Sequence, residues 1–269
     1  EVQDAMISST YSTGAVTGAQ AVGGLIGRAT GDQVKVHDSY WDTDTSGIEN
    51  DAVGEVDDPM EGFILDITGL STSALQAELP EGFDDAWGEF GFVWRIIEGI
   101  SYPYLRWRYP AGPSVVSGTV EGVDGGNGYL TVGMALGGRS SGPRHSGANG
   151  YFYTTFDPPE QEMPVIVWLG GANTQGESVP ARGNALMLTT DGHATGITVR
   201  NGYVTVTNHG PTLSGILGGA VEGIEDLDDH EGILYRLGSF IFDPDINVDI
   251  TVDSDDFLID EDMILQGSG

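Results

Sequence analysis

The sequence predicts an all-β protein of several modules. A short β-solenoid-like N-terminal region with an aromatic cap leads into a β-sandwich, and an acidic β-rich C-terminal module follows. Three observations predict this. Forty-two glycines occur among 269 residues without a collagen period, which marks many tight turns. Ile7-Ser-Ser-Thr-Tyr11 recurs as Val36-His-Asp-Ser-Tyr40 at an offset of 29 residues, and repeats of this length belong to coils whose units bury their faces against one another. Beyond Pro113, short alternating apolar runs follow each other between turn signals, the pattern of a sandwich.

The elements read in order as follows. Between the two copies of the repeat, the glycines of Val22-Gly-Gly-Leu-Ile-Gly27 let the backbone turn or pack closely, with Val22, Leu25 and Ile26 directed inward. Ser71-Thr-Ser-Ala-Leu-Gln-Ala-Glu-Leu79 begins with capping residues, continues with helix formers and stops at Pro80, so a helix is expected there. The stretch from Phe83 to Tyr109 is dense in aromatics, among them Trp87, Phe90, Trp94, Tyr102, Tyr104 and Trp107. Burial preference makes it a cap over the coil; exposed, Trp94, Tyr104 and Trp107 would instead form a carbohydrate contact.

Pro110-Ala-Gly-Pro113 reads as a linker. The expected modules therefore span residues 1–110, 114–190 and 191–269. Strands are expected at Leu130 to Leu136, Tyr151 to Phe156, Val165 to Leu169 and Ala185 to Leu188. Asn201-Gly202 predicts a two-residue hairpin pairing Val199 with Val204 and Ile197 with Val206. Near the C-terminus, Ile246, Val248, Ile250 and Val252 alternate with polar residues, a strand with one buried face. It is either internal to its own module or an assembly strand completing a neighbouring subunit's sheet.

Charge narrows the partners. Forty-one acids face ten bases, for a formal charge of −31. Nucleic acid is not expected, because a phosphate-binding face must supply Lys and Arg, and an anionic membrane surface would repel the chain. Lys35 is the sole lysine, and abundant carboxylates without lysine suit solubility in salty water. No apolar run approaches a membrane span. The chain has no cysteine, so no disulfide holds it. It starts at Glu1 with no signal peptide, which predicts a processed product or a fragment.

Asp42-Thr-Asp-Thr-Ser-Gly47 opens like a calcium loop, with Asp42 and Asp44 as oxygen ligands and glycine at the sixth position. Val53 stands at the twelfth, where an EF-hand needs Glu. From Glu222 to Asp262 there are fifteen acids and one base. Within this tract Asp226, Asp228, Asp243, Asp245, Asp253 and Asp255 are candidate Ca2+ ligands through charge density alone, against the alternative of a solvated acidic face. None of the five histidines has metal-site spacing, and no Gly-x-Ser-x-Gly elbow or phosphate-binding glycine loop occurs. No catalytic residue and no organic cofactor is expected.

Four phrases carry a resemblance. In order, Val22-Gly-Gly-Leu-Ile-Gly27, Ser39-Tyr-Trp-Asp-Thr-Asp-Thr-Ser-Gly47, Val93-Trp-Arg-Ile-Ile-Glu-Gly99 and Ser101-Tyr-Pro-Tyr-Leu-Arg-Trp107 resemble the end of a GLUG-motif region in large secreted adhesins of the filamentous-haemagglutinin type. The resemblance covers residues 1–110 best. It implies a structural turn at Asp42 to Gly47. Ser117-Gly-Thr-Val120 followed by Ala148-Asn-Gly-Tyr-Phe152 resembles the carboxypeptidase-regulatory type of immunoglobulin-like module. Together these imply a non-catalytic extracellular or cell-surface protein for adhesion or structure. The adhesins it resembles are far longer, so this short chain suits a subunit that reaches length by self-association into a filament, steadied by calcium. The alternatives are a carbohydrate-binding module contacting surface glycans and, behind it, a polysaccharide-degrading β-solenoid enzyme.

Overall fold

The computed structural model describes residues 6–30, 34–57, 64–83, 93–121, 130–136, 139–142, 144–160, 164–173, 184–188, 192–200, 203–207 and 249–252. Strands dominate these residues and both helices are short, so the fold is all-β. No helix among the described residues is long and apolar enough to cross a membrane. The chain divides into two compact units: residues 1–112 with 147–149, and residues 113–146 with 150–269.

In the first unit the sequence repeat becomes strand pairing. β1 (Met6–Ser8) and β2 (Tyr11–Ser12) are followed by β3 (Ile26–Thr30), β4 (Lys35–Asp42), helix α1 (Thr43–Ser46), β5 (Val53–Asp57), β6 (Ile64–Leu70) and helix α2 (Thr72–Ala77). Two short strands, β7 (Trp94–Arg95) and β8 (Tyr104–Leu105), complete the unit. β1 and β2 run parallel to β4, with Ile7 opposite Val36 and Tyr11 opposite Tyr40. This is the alignment read from the sequence. On the other edge of β4 lies β6, also parallel, with Val36 opposite Leu65. Ile64–Leu70 is thus a third copy that the sequence does not reveal, because it lacks the tyrosine. A second parallel pair, β3 with β5, sets Ile26 opposite Val53 and Arg28 opposite Glu55.

The third copy is one residue shorter. Val36 faces Leu65 but Ser39 faces Ile67, so His37 and Asp38 together oppose Asp66, a bulge. Asp38 there adopts φ 47°, and Ser9, its counterpart in the first copy, adopts φ 51°. Aspartate tolerates this left-handed backbone better than most residues. Ser9 is tied down by its hydroxyl, which donates to the Gly82 carbonyl at 2.9 Å.

Glycines and one indole make the interior. Trp41 is buried between Gly24 and Gly69: a Cβ on Gly24 would overlap its ring, and one on Gly69 would stand 2.6 Å from Cζ2. Its Nε1–H donates to the Ile48 carbonyl at 2.8 Å. A Cβ on Gly23 or Gly54 would run into the facing backbone. This corrects the inward placement of Val22, Leu25 and Ile26. Gly23 and Gly24 are the buried residues, while the three aliphatics are only half-buried, because the indole takes the space that aliphatic side chains would need.

The second unit holds β9 (Ser114–Glu121), β10 (Leu130–Leu136), β11 (Arg139–Ser140), β12 (Arg144–His145), β13 (Tyr151–Phe156) and β14 (Pro164–Asn173). Then come β15 (Asn184–Leu188), β16 (Ala194–Arg200), β17 (Tyr203–Thr207) and β18 (Asp249–Val252). One sheet has the order β13-β9-β16; a larger one runs β11-β10-β14-β15-β17-β18, with β12 also on β10. Val116, Phe152, Phe156, Ile197 and Val199 from the first sheet share one core with Val132, Met134, Leu136, Val165, Val167 and Leu169 from the second. The expected alternation holds in β10 and β13, where Leu130, Val132, Met134 and Leu136, and Phe152, Thr154 and Phe156, are buried. Val165 to Leu169 of β14 are all buried, so both faces are covered there, and Trp168 packs over Gly133, its register partner, where a Cβ would overlap the ring.

Asn201 and Gly202 lie outside the described residues, and the strands on either side of them are not paired with each other as expected. β16 pairs in parallel with β9, and β17 pairs in parallel with β15 and β18, so the two runs lie in different sheets. The facing of β16 was legible, since Ile197 and Val199 are buried. Its partner was not, because Gly118 offers the close approach that β16 takes: a Cβ there would overlap the Ile197 carbonyl. Strands on both sides of residue 190 therefore share both sheets.

Gly24→Ala should lower the stability of the first unit by about 1–3 kcal/mol through overpacking against Trp41. Gly14→Ala, whose Cβ would meet nothing within 4 Å, should leave the denaturant midpoint where it is. Chemical denaturation of the two variants checks both.

Candidate functional site

The chemistry-bearing residues of the first unit converge on the corner after β4. Asp42 is buried and caps α1: its Oδ1 accepts from the backbone N–H of Asp44 at 2.9 Å and of Thr45 at 3.0 Å. Its Oδ2 accepts from the Thr72 hydroxyl at 2.7 Å and the Tyr102 hydroxyl at 2.6 Å. Asp44 Oδ2 accepts from the Thr72 N–H at 2.9 Å, at the start of α2, where a negative charge is favoured. Gly47 closes the turn with φ 73°, a conformation suited to glycine. The Asp-Thr-Asp-Thr-Ser-Gly phrase is thus a capped turn. A carboxylate has about four acceptor positions, and four donors meet those of Asp42, so a cation there would have to displace them.

α2 begins one residue inside the expected start. Ser71 is its cap, accepting from the Ala74 N–H at 3.1 Å, and Leu75 is fully buried. An open depression of about 620 Å³ lies beside the capped turn, lined by Thr43, Asp44, Gly47, Glu49, Ala148 and Asn149. Asp44 and Glu49 are its two carboxylates. Among the described residues no group of three or more His, Cys, Asp or Glu is placed to hold a metal ion. Asp226, Asp228, Asp243, Asp245, Asp253 and Asp255 lie outside the described residues, as do Ile246 and Val248. Ile250 and Val252 stand in β18, opposite Val204 and Val206 of β17.

The aromatic stretch packs against the repeat tyrosines. Phe83 is buried, with ring centroids 4.9 Å from Trp94, 5.7 Å from Tyr40 and 6.2 Å from Tyr11. Trp94 meets Tyr11 edge-on at 5.7 Å, and Tyr102 stacks on Tyr11 at 6.1 Å. The Tyr11 hydroxyl donates to the Pro103 carbonyl at 2.6 Å, and that of Tyr40 to the Glu81 carbonyl at 3.0 Å. The cluster therefore spans two copies of the repeat. Burial pushes the Tyr11 hydroxyl up to about 12. Tyr40 is raised as well, by burial first and then by Asp38, Glu81 and Asp66.

The three expected sugar contacts do not share one face. Trp94 belongs to this cluster, and Tyr104 meets Tyr109 edge-on at 6.3 Å. Trp107 alone of the three is exposed, at 72 %. It sits on a turn in which the N–H groups of Arg108 and Tyr109 both donate to the Leu105 carbonyl, at 3.0 and 3.1 Å. Sequence reasoning missed the Asp42–Tyr102 bond, which joins residues 60 apart, and no local signal marks it. Comparisons with protein-family models, curated proteins and solved structures give no match.

Two outcomes follow from this corner. Asp42→Ala strips four donors of their acceptor and should destabilise the first unit by about 3 kcal/mol, read as a fall in its thermal midpoint. Because the Tyr11 proton is held more tightly in the folded state, its contribution is intact below pH 10.0, the ordinary value, and is lost as pH rises toward about 12. Tyr11→Phe should flatten the decline of stability across that window in pH-dependent denaturation.

Proposed function

We propose that the chain is a non-catalytic structural and adhesive protein of an extracellular or cell surface. Its first unit is a short β-solenoid with an aromatic cap along its edge, and its second is an immunoglobulin-like sandwich extended by the acidic C-terminal strands. The observation that carries the reading is the parallel register of Ile7, Val36 and Leu65. Stacked copies of this kind make a rigid spacer whose work is shape and reach. The resemblance to GLUG-type adhesins accords with it. The polar groups at its best-built corner are spent on the fold, since Asp42 joins α1, α2 and Tyr102 in one network.

Self-association fits the same reading. Among the described residues β18 is the outermost strand of the larger sheet, beyond β17, and an edge strand offers unpaired backbone groups to another chain. Calcium, in this reading, is held by the acidic tract from Glu222 to Asp262 rather than by Asp42. Carbohydrate binding is favoured as a second reading by one observation, the exposure of Trp107.

Electron microscopy of the purified chain with and without a calcium chelator tests this. Regular filaments are expected, and they should shorten or dissolve with chelator. Dispersed particles under both conditions would rule out the filament subunit.

A further inference from the structure

The stack of parallel strands in the first unit has two ends, and they differ in charge. β1 and β2 lie on one side of β4 and β6 on the other, and among the described residues no strand pairs with the outer edges of β1, β2 or β6. Residues 6–30, which hold β1, β2 and β3, contain no acid and one base, Arg28, in a chain with 41 acids. At the opposite end, β5 and β6 carry Glu55, Asp57 and Asp66 and no base. Arg28 serves both Glu55 and Asp57 across the β3–β5 pair. The first end is therefore free of negative charge, and the second is acidic.

The apolar column through the stack also ends at the surface. Ile7, Val36 and Leu65 are register partners. Val36 in the middle is fully buried, while Leu65 at the β6 end is 37 % exposed and Met6, at the start of β1, is 74 % exposed. Edge strands are normally blunted by charged residues or proline, yet Met6 to Ser12 contains neither. A charge of −31 keeps copies of this chain apart in general. An acid-free edge is the one approach at which a second copy meets no repulsion from the first, and the acidic β6 end is its electrostatic complement.

We propose that the two ends join between copies: β1 and β2 of one copy add in parallel to the outer edge of β6 of a second copy, with Ile7 facing Leu65. This inference rests on the structural, self-associating reading and names the contact that builds it. The register continues the one inside the unit. Tyr11 of the added copy stands beside Thr68, as Tyr40 does on the other edge of β6, and Ser8 stands beside Asp66. A contact between two different surfaces of the same chain leaves a free end after each addition, so it repeats into an open filament.

The test is cross-linking between copies of the full chain with calcium present. Ser8→Cys and Asp66→Cys, both at exposed positions, are purified separately and mixed under mild oxidation. The mixture should yield disulfide-linked dimers, and neither variant alone should. The double variant Ser8→Cys/Asp66→Cys should give a ladder of covalent oligomers. It cannot close on itself, because β4 lies between the two strands and two ladder spacings of about 4.8 Å exceed the Cα separation of about 7 Å that a disulfide spans. In sedimentation, Ser8→Asp sets an acid against Asp66 and should weaken association at least tenfold. Adding Asp66→Asn should restore most of the loss, and Asn50→Asp, an exposed acid elsewhere on the unit, should change nothing. If Ser8→Asp fails to fold, the mixed cross-link decides. Dimers from either cysteine variant alone would make the contact symmetric and overturn the joint. An equal loss from Asn50→Asp would overturn it as well. Filaments in electron micrographs without the mixed cross-link would overturn this joint and leave the filament reading intact. Dispersed particles under every condition would overturn both.

Discussion

The first unit depends on the burial of one indole between glycines. Trp41 fills the space between Gly24 and Gly69; it ends β4, Gly69 lies in β6 and Gly24 stands just before β3. The contact holds the parallel strands at a fixed spacing and leaves no room for a side chain at either glycine. Its one polar atom is satisfied by Ile48, so burying the ring leaves no donor stranded. The second unit uses the same device once, where Trp168 covers Gly133. Large rings over bare backbone account for Gly24, Gly69 and Gly133.

The corner after β4 follows from that packing. With Trp41 directed inward, the next residue, Asp42, is carried to the start of α1, beside α2 and Tyr102. Its carboxylate then gathers two backbone donors and two hydroxyls. Removing a buried charge from water is costly, and four hydrogen bonds offset that cost here. The same corner brings α1 and α2 together, and the aromatic cluster closes against Tyr11 and Tyr40. Indole, capped turn and aromatic edge therefore form one connected structure.

Local pattern was legible in the sequence; long-range partners were legible only where a repeat declared them. Ile7 to Tyr11 and Val36 to Tyr40 align because they share a tyrosine, and they pair in that register. The third copy has Thr68 opposite Tyr40, so composition gave no sign of it. Ser71 as a helix cap and the strands at Leu130 and Tyr151 could be read from local chemistry. The Asn201-Gly202 signal misled, because a turn dipeptide in sequence does not name the sheet that receives the next strand. At the candidate site, Asp42 and Asp44 were found for their spacing, but donors from Thr72 and Tyr102 decide what Asp42 does, and they come from distant sequence.

The central claim is the parallel stacking of the first unit's strands, and a disulfide test reads it most directly. The chain has no cysteine, so an engineered pair reports without background. Arg28 and Glu55 are register partners on exposed parts of β3 and β5. Arg28→Cys/Glu55→Cys should therefore cross-link readily under mild oxidation. Arg28→Cys/Val56→Cys, displaced by one residue and so pointing to the opposite face, should not. Efficient cross-linking of the displaced pair, or of neither, would contradict the stacked register on which the account stands.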